Sequence, residues 1–400
     1  MKLNFRKTKF NRRKIYLFSI LLILLAVICT FKIDYFTSAE DDTSTSLASS
    51  VYEVLDGVDL SEMETLVKEV DEIDLFKVTI KEKITQILNG EYFTNYPSLF
   101  SAIMSLIFGD IRSILPFILT LVAVGVLSNL ISNLKSQNTS VSDTINFVFL
   151  AVTILIVLVA FKNILSMTSK TLRLILTQMQ IVFPILVTLL GTIGTVATIS
   201  IYNPLVSVLV TIVSIVFEKF LYPLFIVIFI LTILGSLTDT VKLNKFINFL
   251  MSTFKWSVGI VFTLFTGFLS IQGISAGKFD SVSIKATKFA MKSYIPIIGS
   301  YVSDGMDFFV LGASLVKNSI GLVGIIILFI TILSPIIMIV IYKLALQLTS
   351  GILELTGNNK LANFLSASGR ILVLPIVIII GVAFMYVITI TLIMCTANIF

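Results

Sequence analysis

Two carboxylates and a lysine in the second half of the chain are the side chains best placed to do chemistry. Asp304 and Asp307 lie three residues apart, so that on a helix they would share one face, and a buried cation such as Lys317 could pair with them. Gly299 and Gly312 lie on either side of them, and glycine lets another backbone approach closely. The spacing predicts an ion-paired site or a surface that contacts a partner.

The apolar stretch after these carboxylates is too short to cross a membrane. Phe308–Val316 has nine residues, whereas a helical span needs about 20. With Pro296 and several glycines around it, the stretch is typical of backbone at membrane depth that is buried in protein or lines a cavity. We therefore expect residues 296–317 to form a re-entrant, pore-lining or partner-facing element. The alternative is a surface loop with two solvated carboxylates.

Glu218 and Lys219 form a second candidate site inside a long apolar stretch. An ion pair deep in lipid is a functional site by default. However, Pro223 follows closely, and Leu205–Phe217 is too short to span alone. A turn at the bilayer surface or a re-entrant hairpin explains both facts, and a buried coupling pair is the alternative.

Three lysines share one helical face before the carboxylates. Lys285, Lys288 and Lys292 have the spacing of an amphipathic helix that lies in the membrane interface. Anionic lipid is the expected partner of this face, and an acidic protein surface is the alternative.

Residue types that enzymes commonly use are scarce. The chain has no histidine, and its two cysteines, Cys29 and Cys395, lie in the first and last apolar segments. This pattern offers no disulfide framework, no cysteine pair at metal spacing and no Walker-type glycine loop. We expect no metal, no cofactor and no enzymatic activity. The pair Gly321 and Gly324 predicts close helix packing rather than a substrate passage.

The composition determines the elements that must position these residues. Of the 400 residues, 56% are hydrophobic and 13% are charged, against roughly one quarter charged in soluble domains. The chain is therefore predicted to be an all-α, polytopic helical membrane protein. Residues 111–400 should hold about seven spans with interfacial and re-entrant helices, and the topology between residues 162 and 255 stays open. The uncharged windows are Ser113–Leu134, Thr144–Phe161, Leu174–Phe217, Phe220–Thr238, Trp256–Gly277, Asn318–Tyr342 and Ile371–Phe400.

The first 39 residues are typical of a secretory signal. Seven basic residues precede the uncharged run Ile15–Phe31, and the small triplet Thr37-Ser38-Ala39 resembles a cleavage site. Cleavage after Ala39 is expected, with an uncleaved anchor as the alternative. Because so many of its basic residues lie there, the net charge of +6 reflects targeting and topology rather than nucleic-acid binding.

Residues 40–110 are predicted to be a small, acidic, helical region outside the cytoplasm. Glu40–Glu91 holds 14 of the 23 acidic residues. Capping boxes at Ser61…Glu64 and Thr79…Glu82 mark the starts of two helices. We expect an acidic cap on the membrane domain, or a docking surface for another extracytoplasmic protein. The apolar faces of the two helices are Met63, Leu66, Val67 and Val70, and Ile80, Ile84, Ile87 and Leu88.

The chain resembles the stage III sporulation protein AE family of endospore-forming bacteria. The resemblance covers nearly the whole chain after the signal, including the acidic start around Leu60–Glu64 and the apolar C-terminus. Its main residues are Phe268–Gly277, Ile284-Lys285…Lys288-Phe289-Ala290, Ile295-Pro296-Ile297-Ile298-Gly299, Tyr301–Asp304 and Val316-Lys317-Asn318-Ser319-Ile320-Gly321.

The resemblance implies a place and a role that composition cannot supply. Members of this family are expected in the mother-cell membrane that faces the engulfed forespore, as multi-pass proteins. They are expected to join the other proteins of the stage III sporulation A operon and to meet a forespore-made membrane protein in the intermembrane space. The resulting assembly is a secretion-like channel needed for forespore development. No catalytic residue is implied.

Two other classes fit part of the pattern. A secondary transporter of a small solute would explain the broken helices and the Glu218–Lys219 pair, and it should move a defined solute when purified alone into vesicles. A polytopic lipid-modifying enzyme would explain the interfacial helices but lacks an acid–base set. An assembly component should instead co-purify with partners from sporulating cells.

We predict that Glu40–Glu91 lies outside the cytoplasm, because a basic start and an apolar run precede it. Cysteines placed at Ser46 and Thr79 should therefore react with an impermeant thiol reagent in intact cells. Labelling that appears only after permeabilisation would contradict this topology.

Overall fold

The computed structural model describes residues 41–70, 79–88, 96–134, 139–193, 208–237, 243–267 and 299–395, together with residues 200 and 204. Within these ranges all regular structure is helical. The helices are α1 (Asp41–Asp56), α2 (Ser61–Val70), α3 (Ile80–Leu88), α4 (Tyr96–Leu134), α5 (Thr139–Thr192), α6 (Val208–Leu237), α7 (Asn244–Gly267), α8 (Gly299–Leu355), α9 (Asn359–Ile371) and α10 (Val373–Cys395). The predicted signal segment, residues 1–39, lies outside the described residues.

Six helical stretches in the described part of the chain are long and apolar enough to cross a membrane. They lie in α4, α5, α6, α7, α8 and the α9–α10 region. This confirms the prediction of an all-α polytopic membrane protein. The predicted boundary between residues 110 and 111 falls inside α4, which begins at Tyr96.

Two helices are far longer than a bilayer is thick. α5 has 54 residues and α8 has 57, or about 80 Å each at 1.5 Å per residue, against a hydrocarbon layer of about 30 Å. The predicted break around Phe308–Val316 is therefore wrong, because that stretch continues within α8. A continuous helix satisfies its own backbone hydrogen bonds, which a re-entrant loop would leave to its surroundings.

The turn predicted at Glu218 and Lys219 is also wrong. Val208–Leu237 is one helix of 30 residues, and the residues around Glu218 form a π-helical segment, Ser214–Leu221. The wider turn of a π-helix accommodates the chain without a reversal. The next helix, α7, likewise begins at Asn244 and continues through Lys255 into the predicted window Trp256–Gly277, as far as Gly267.

The start of α3 confirms a predicted capping box in atomic detail. Glu82 N donates to Thr79 Oγ1 at 3.3 Å, and Thr79 N donates to a carboxylate oxygen of Glu82 at 3.1 Å. At the start of α2 the cap differs from the prediction, because Asp59 Oδ1 accepts from Ser61 N at 3.0 Å. Hydrogen bonds from the Ser61 side chain and backbone hold the pKa of the Asp59 carboxyl below its ordinary value.

The acidic region packs on the apolar helices, as its predicted faces require. Met63 and Ile84 are fully buried. α2 packs against α5 and α8, and α3 packs against α8. An ion pair between Lys81 and Asp56 joins α3 to the end of α1. The other buried residues of the two predicted faces are Leu66, Val67, Val70, Ile80 and Ile87.

The N-terminal part of α5 packs with α4 and the C-terminal part of α8, and we call this group the first half-bundle. The rings of Phe117 and Tyr342 meet edge to face with centroids 5.6 Å apart. Asn358 donates to the Ser128 hydroxyl at 2.9 Å at the far end of the group. The side chain of Leu353 fills the space beside Gly125.

The C-terminal part of α5 packs with α10 and the N-terminal part of α8, and we call this group the second half-bundle. The rings of Phe183 and Tyr386 stack with centroids 5.4 Å apart. The Tyr386 hydroxyl donates to Gly324 O at 3.3 Å, and both aromatic residues are fully buried. The second half-bundle therefore forms the best-packed part of the described protein.

The turn between α8 and α9 returns the chain toward the second half-bundle. Gly357 has a φ of +85°, which an L side chain rarely adopts. Asn358 N bonds to Leu353 O at 3.1 Å and Gly357 N to Glu354 O at 3.1 Å, as in a Schellman motif. The Asn358 side chain then caps α9 by accepting from Leu361 N.

Gly312 is the point at which α8 meets the acidic region most closely. A Cβ atom built on Gly312 would lie 3.2 Å from Val51 N and 3.2 Å from Ser50 Cβ in α1. Because two of its neighbours are backbone atoms, they have little freedom to move aside. Glycine therefore permits this close approach of two helices.

Replacing Gly312 by leucine should push α1 away from α8, at a cost of about 1–3 kcal/mol. The expected result is a lower melting temperature of the detergent-solubilised protein and faster proteolysis within α1. Gly351→Leu is the matched control, because Gly351 also lies in α8 but nothing surrounds its Cβ position. Equal behaviour of the two variants would contradict the close contact.

Candidate functional site: a charged belt and a buried lysine

Several charged residues lie near the middle of α5 and in the neighbouring helix α6. We call Lys170, Arg173, Glu218 and Lys219 the charged belt. Arg173 Nε lies 3.2 Å from Glu218 Oε1, which joins α5 to α6. The Arg173 side chain is 72% exposed and that of Glu218 is 28% exposed. An exposed pair of this kind contributes little stability, typically about 0–1 kcal/mol.

The π-helical segment of α6 presents Glu218 toward α5. Tyr222 N bonds to Phe217 O, five residues back, as a π-helix requires. Pro223 has no N–H and its ring crowds the preceding turn, which favours such a local widening. Ser214 Oγ donates to the second carboxylate oxygen of Glu218 at 3.3 Å, and Tyr222 Oη donates to Leu165 O at 3.0 Å.

Sequence reasoning named Glu218 and Lys219 as a pair but missed Arg173. Consecutive residues of a helix point about 100° apart, so Glu218 pairs across to another helix instead. A signal was present in the sequence, because Glu218 is the only acidic residue between Asp143 and Asp239. The basic residues of the same stretch, Lys162, Lys170, Arg173 and Lys219, were therefore candidate partners.

Lys317 lies in the second half-bundle and is fully buried. Its Nζ donates to Met394 O at 3.0 Å, at the C-terminal end of α10. The last carbonyls of a helix lack intrahelical donors and carry partial negative charge, so a lysine there satisfies both needs. Lys317 therefore caps α10 from α8.

The predicted pairing of Lys317 with Asp304 is wrong. Both residues lie in α8, 13 positions apart, which is about 20 Å along a helix. The side chains of Asp304 and Asp307 lie outside the described residues, as do Lys285, Lys288, Lys292 and Pro296. For Gly299 the structure describes the backbone, at the first position of α8.

The glycines of α8 behave as the sequence predicts. A Cβ on Gly324 would lie 3.0 Å from Tyr386 Oη and 3.0 Å from a Val182 methyl group. One on Gly321 would lie 2.6 Å from the sulfur of Met394. Both positions therefore serve the close packing of α8 against α10, and Gly324 also serves the packing of α8 against α5.

A groove opens beside the charged belt, where the end of α2 meets α5 and α8. Glu69, Lys170, Thr331 and Ser334 are among its polar lining residues. No group of three or more His, Cys, Asp or Glu side chains in the described ranges could hold a metal ion.

Fold and site together define a polytopic helical membrane protein with an ion pair between two long apolar helices and a buried lysine between two others. The chain matches the Stage III sporulation protein AE family over residues 78–397 and belongs to that family. The Stage III sporulation protein AE of Bacillus subtilis (strain 168) is 21% identical to it over 321 residues, which are 80% of each chain. No solved structure matches this chain.

The match to the family covers the charged belt and the cap on α10 but not all of the acidic region. Residues 78–397 include Arg173, Glu218, Gly312 and Lys317. They exclude Leu60–Glu64, on which the resemblance seen in the sequence partly relied. The assignment therefore depends on α3 to α10.

We predict that Lys317→Glu destabilises the protein strongly, by at least about 3 kcal/mol, because a buried carboxylate would face the negative end of α10. Lys317→Met should be milder, since it removes the charge and keeps an apolar chain of similar length. The measurement is the melting temperature of the full chain in detergent.

Lys245→Glu is the control for this charge reversal, because Lys245 is exposed on α7. It should change stability by less than about 0.5 kcal/mol. A Lys317→Glu protein that melts with the wild type would show that Lys317 does not cap α10.

Proposed function

We propose that this chain is a membrane component of a secretion-like channel assembly that serves forespore development during endospore formation. In this proposal it lies in the mother-cell membrane that faces the engulfed forespore. Its partners would be the other proteins of the stage III sporulation A operon and, across the intermembrane space, a forespore-made membrane protein. Membership of a sporulation family supports the cellular process, and the surface of the molecule supports the assembly.

The observation that carries the proposal is the exposed apolar face of the first half-bundle. Phe147, Leu155 and Val159 recur at helical spacing in α5 and are 55–64% exposed. Leu119 and Leu130 of α4 add to the same kind of surface. Large contiguous apolar surfaces of this kind mark contacts with lipid or protein.

The length of α5 indicates that protein, as well as lipid, contacts this exposed apolar face. The apolar stretch of α5, Thr144–Thr192, has 49 residues, about 73 Å, and the hydrocarbon layer is about 30 Å thick. Lipid tails therefore cannot cover the whole stretch if the helix crosses once. The second half-bundle covers much of the remainder, since Phe183, Leu186 and Leu190 are fully buried. Further protein contacts on the first half-bundle would complete the covering.

The test is photocrosslinking in sporulating cells with the full-length protein. A benzoylphenylalanine placed at Leu155 should form adducts with another protein of the assembly, identified by mass spectrometry. The same residue at Phe183 is the control, because Phe183 is buried inside the chain's own fold. Adducts with lipid alone at Leu155, together with no protein that co-purifies, would overturn the assembly role.

A further inference from the structure

The groove between α2, α5 and α8 presents two opposite charges. Glu69 comes from the last turn of α2 and Lys170 from the middle of α5, and both line the groove. Neither side chain pairs with another residue of the described ranges. The groove therefore offers an acceptor and a cation to a ligand that carries the complementary charges.

A buried hydrogen bond holds one wall residue of the groove in place. Thr331 lines the groove, donates to Ile327 O at 2.8 Å, and accepts from Gln178 Nε2 at 2.5 Å. Gln178 is fully buried, and its Oε1 has no hydrogen-bond partner in the described structure. Gln178 does not itself line the groove, so this oxygen lies behind Thr331 rather than in contact with a ligand.

Apolar side chains complete the groove. Leu174, Ile330 and Pro335 line it together with the polar groups. The helices that supply them, α5 and α8, are long and apolar enough to cross a membrane. A ligand with apolar chains therefore matches this lining better than a fully polar solute does.

We propose that this groove binds a phospholipid whose head group carries a primary ammonium and a phosphate. The ammonium donates to the Glu69 carboxylate, and the phosphate accepts from Lys170. The acyl chains lie along Leu174 and Ile330. A primary ammonium fits better than a quaternary one because only the primary group has N–H donors for the Glu69 carboxylate. This site is independent of the channel role and goes beyond it.

The experiment measures lipid retained by the full-length protein. The protein is reconstituted in vesicles of equal parts phosphatidylethanolamine, phosphatidylcholine and phosphatidylglycerol, extracted in mild detergent and analysed by native mass spectrometry. Phosphatidylethanolamine should be enriched over the other two. Glu69→Gln and Lys170→Gln should each lower its retention about tenfold, as expected for the loss of one charged hydrogen bond.

Two control variants match the charges that are changed. Glu62→Gln alters an exposed carboxylate of the same helix α2, and Lys162→Gln alters an exposed lysine of the same helix α5. Both should retain phosphatidylethanolamine as the wild type does. Because Glu69 and Lys170 are themselves exposed, all four variants should melt at the temperature of the wild type, which shows that a loss of lipid is not a loss of fold.

Three outcomes would overturn the proposal. Equal retention by all variants would mean that the lipid is only non-specific annular lipid. Loss in Lys170→Gln alone, with phosphatidylglycerol retained as well as phosphatidylethanolamine, would mean a site for an anion. Displacement of the lipid by soluble glycerophosphoethanolamine would mean that the groove takes a free zwitterion rather than a lipid.

Discussion

The close contact between α8 and α10 is the interaction on which the rest of the described structure depends. Gly321 and Gly324 let the two helices approach until the side chains of Tyr386 and Met394 fill the space beside α8. Lys317 then closes the end of α10 through Met394 O. In a membrane, where lipid tails are as apolar as the side chains, such close packing and buried polar contacts are the main source of helix association. Because α2, α3, α4, α5 and α9 also pack on α8, this contact positions most of the molecule.

α5 and α8 are both far longer than the hydrocarbon layer of a membrane is thick. α5 joins a well-buried C-terminal part to an N-terminal part with an exposed apolar face, and Lys170 and Arg173 lie between the two parts. The Arg173–Glu218 pair crosses from α5 to α6 at this level, and the π-helical segment of α6 brings Glu218 to it. Glu218 is accommodated there because it contacts Arg173 and the Ser214 hydroxyl, and Lys170 lines the groove. The exposed apolar half of α5 is the surface that the proposed assembly would cover.

From Ser46 onward, the acidic helices belong to the same packed unit as the helices that follow. α1 approaches α8 at Gly312, and the end of α2 borders the groove beside Lys170. The acidic region, which is predicted to be exported, therefore packs directly on the apolar helices beside the charged belt. Glu69 lies outside residues 78–397, which match the family. It nevertheless lines the same groove as Lys170, which lies within them.

The sequence alone determined the class of the protein, the capping box of Thr79 and Glu82, the buried faces of α2 and α3, and the packing role of Gly321 and Gly324. Each of these follows from local chemistry or from helical periodicity, which neighbours do not change. The packing of the helices was needed to show that α5, α6 and α8 continue through their charged residues, that Glu218 pairs with Arg173, and that Lys317 caps α10. These outcomes depend on side chains from helices far apart in sequence, and such partners determine whether a charge ends a helix or is accommodated within it.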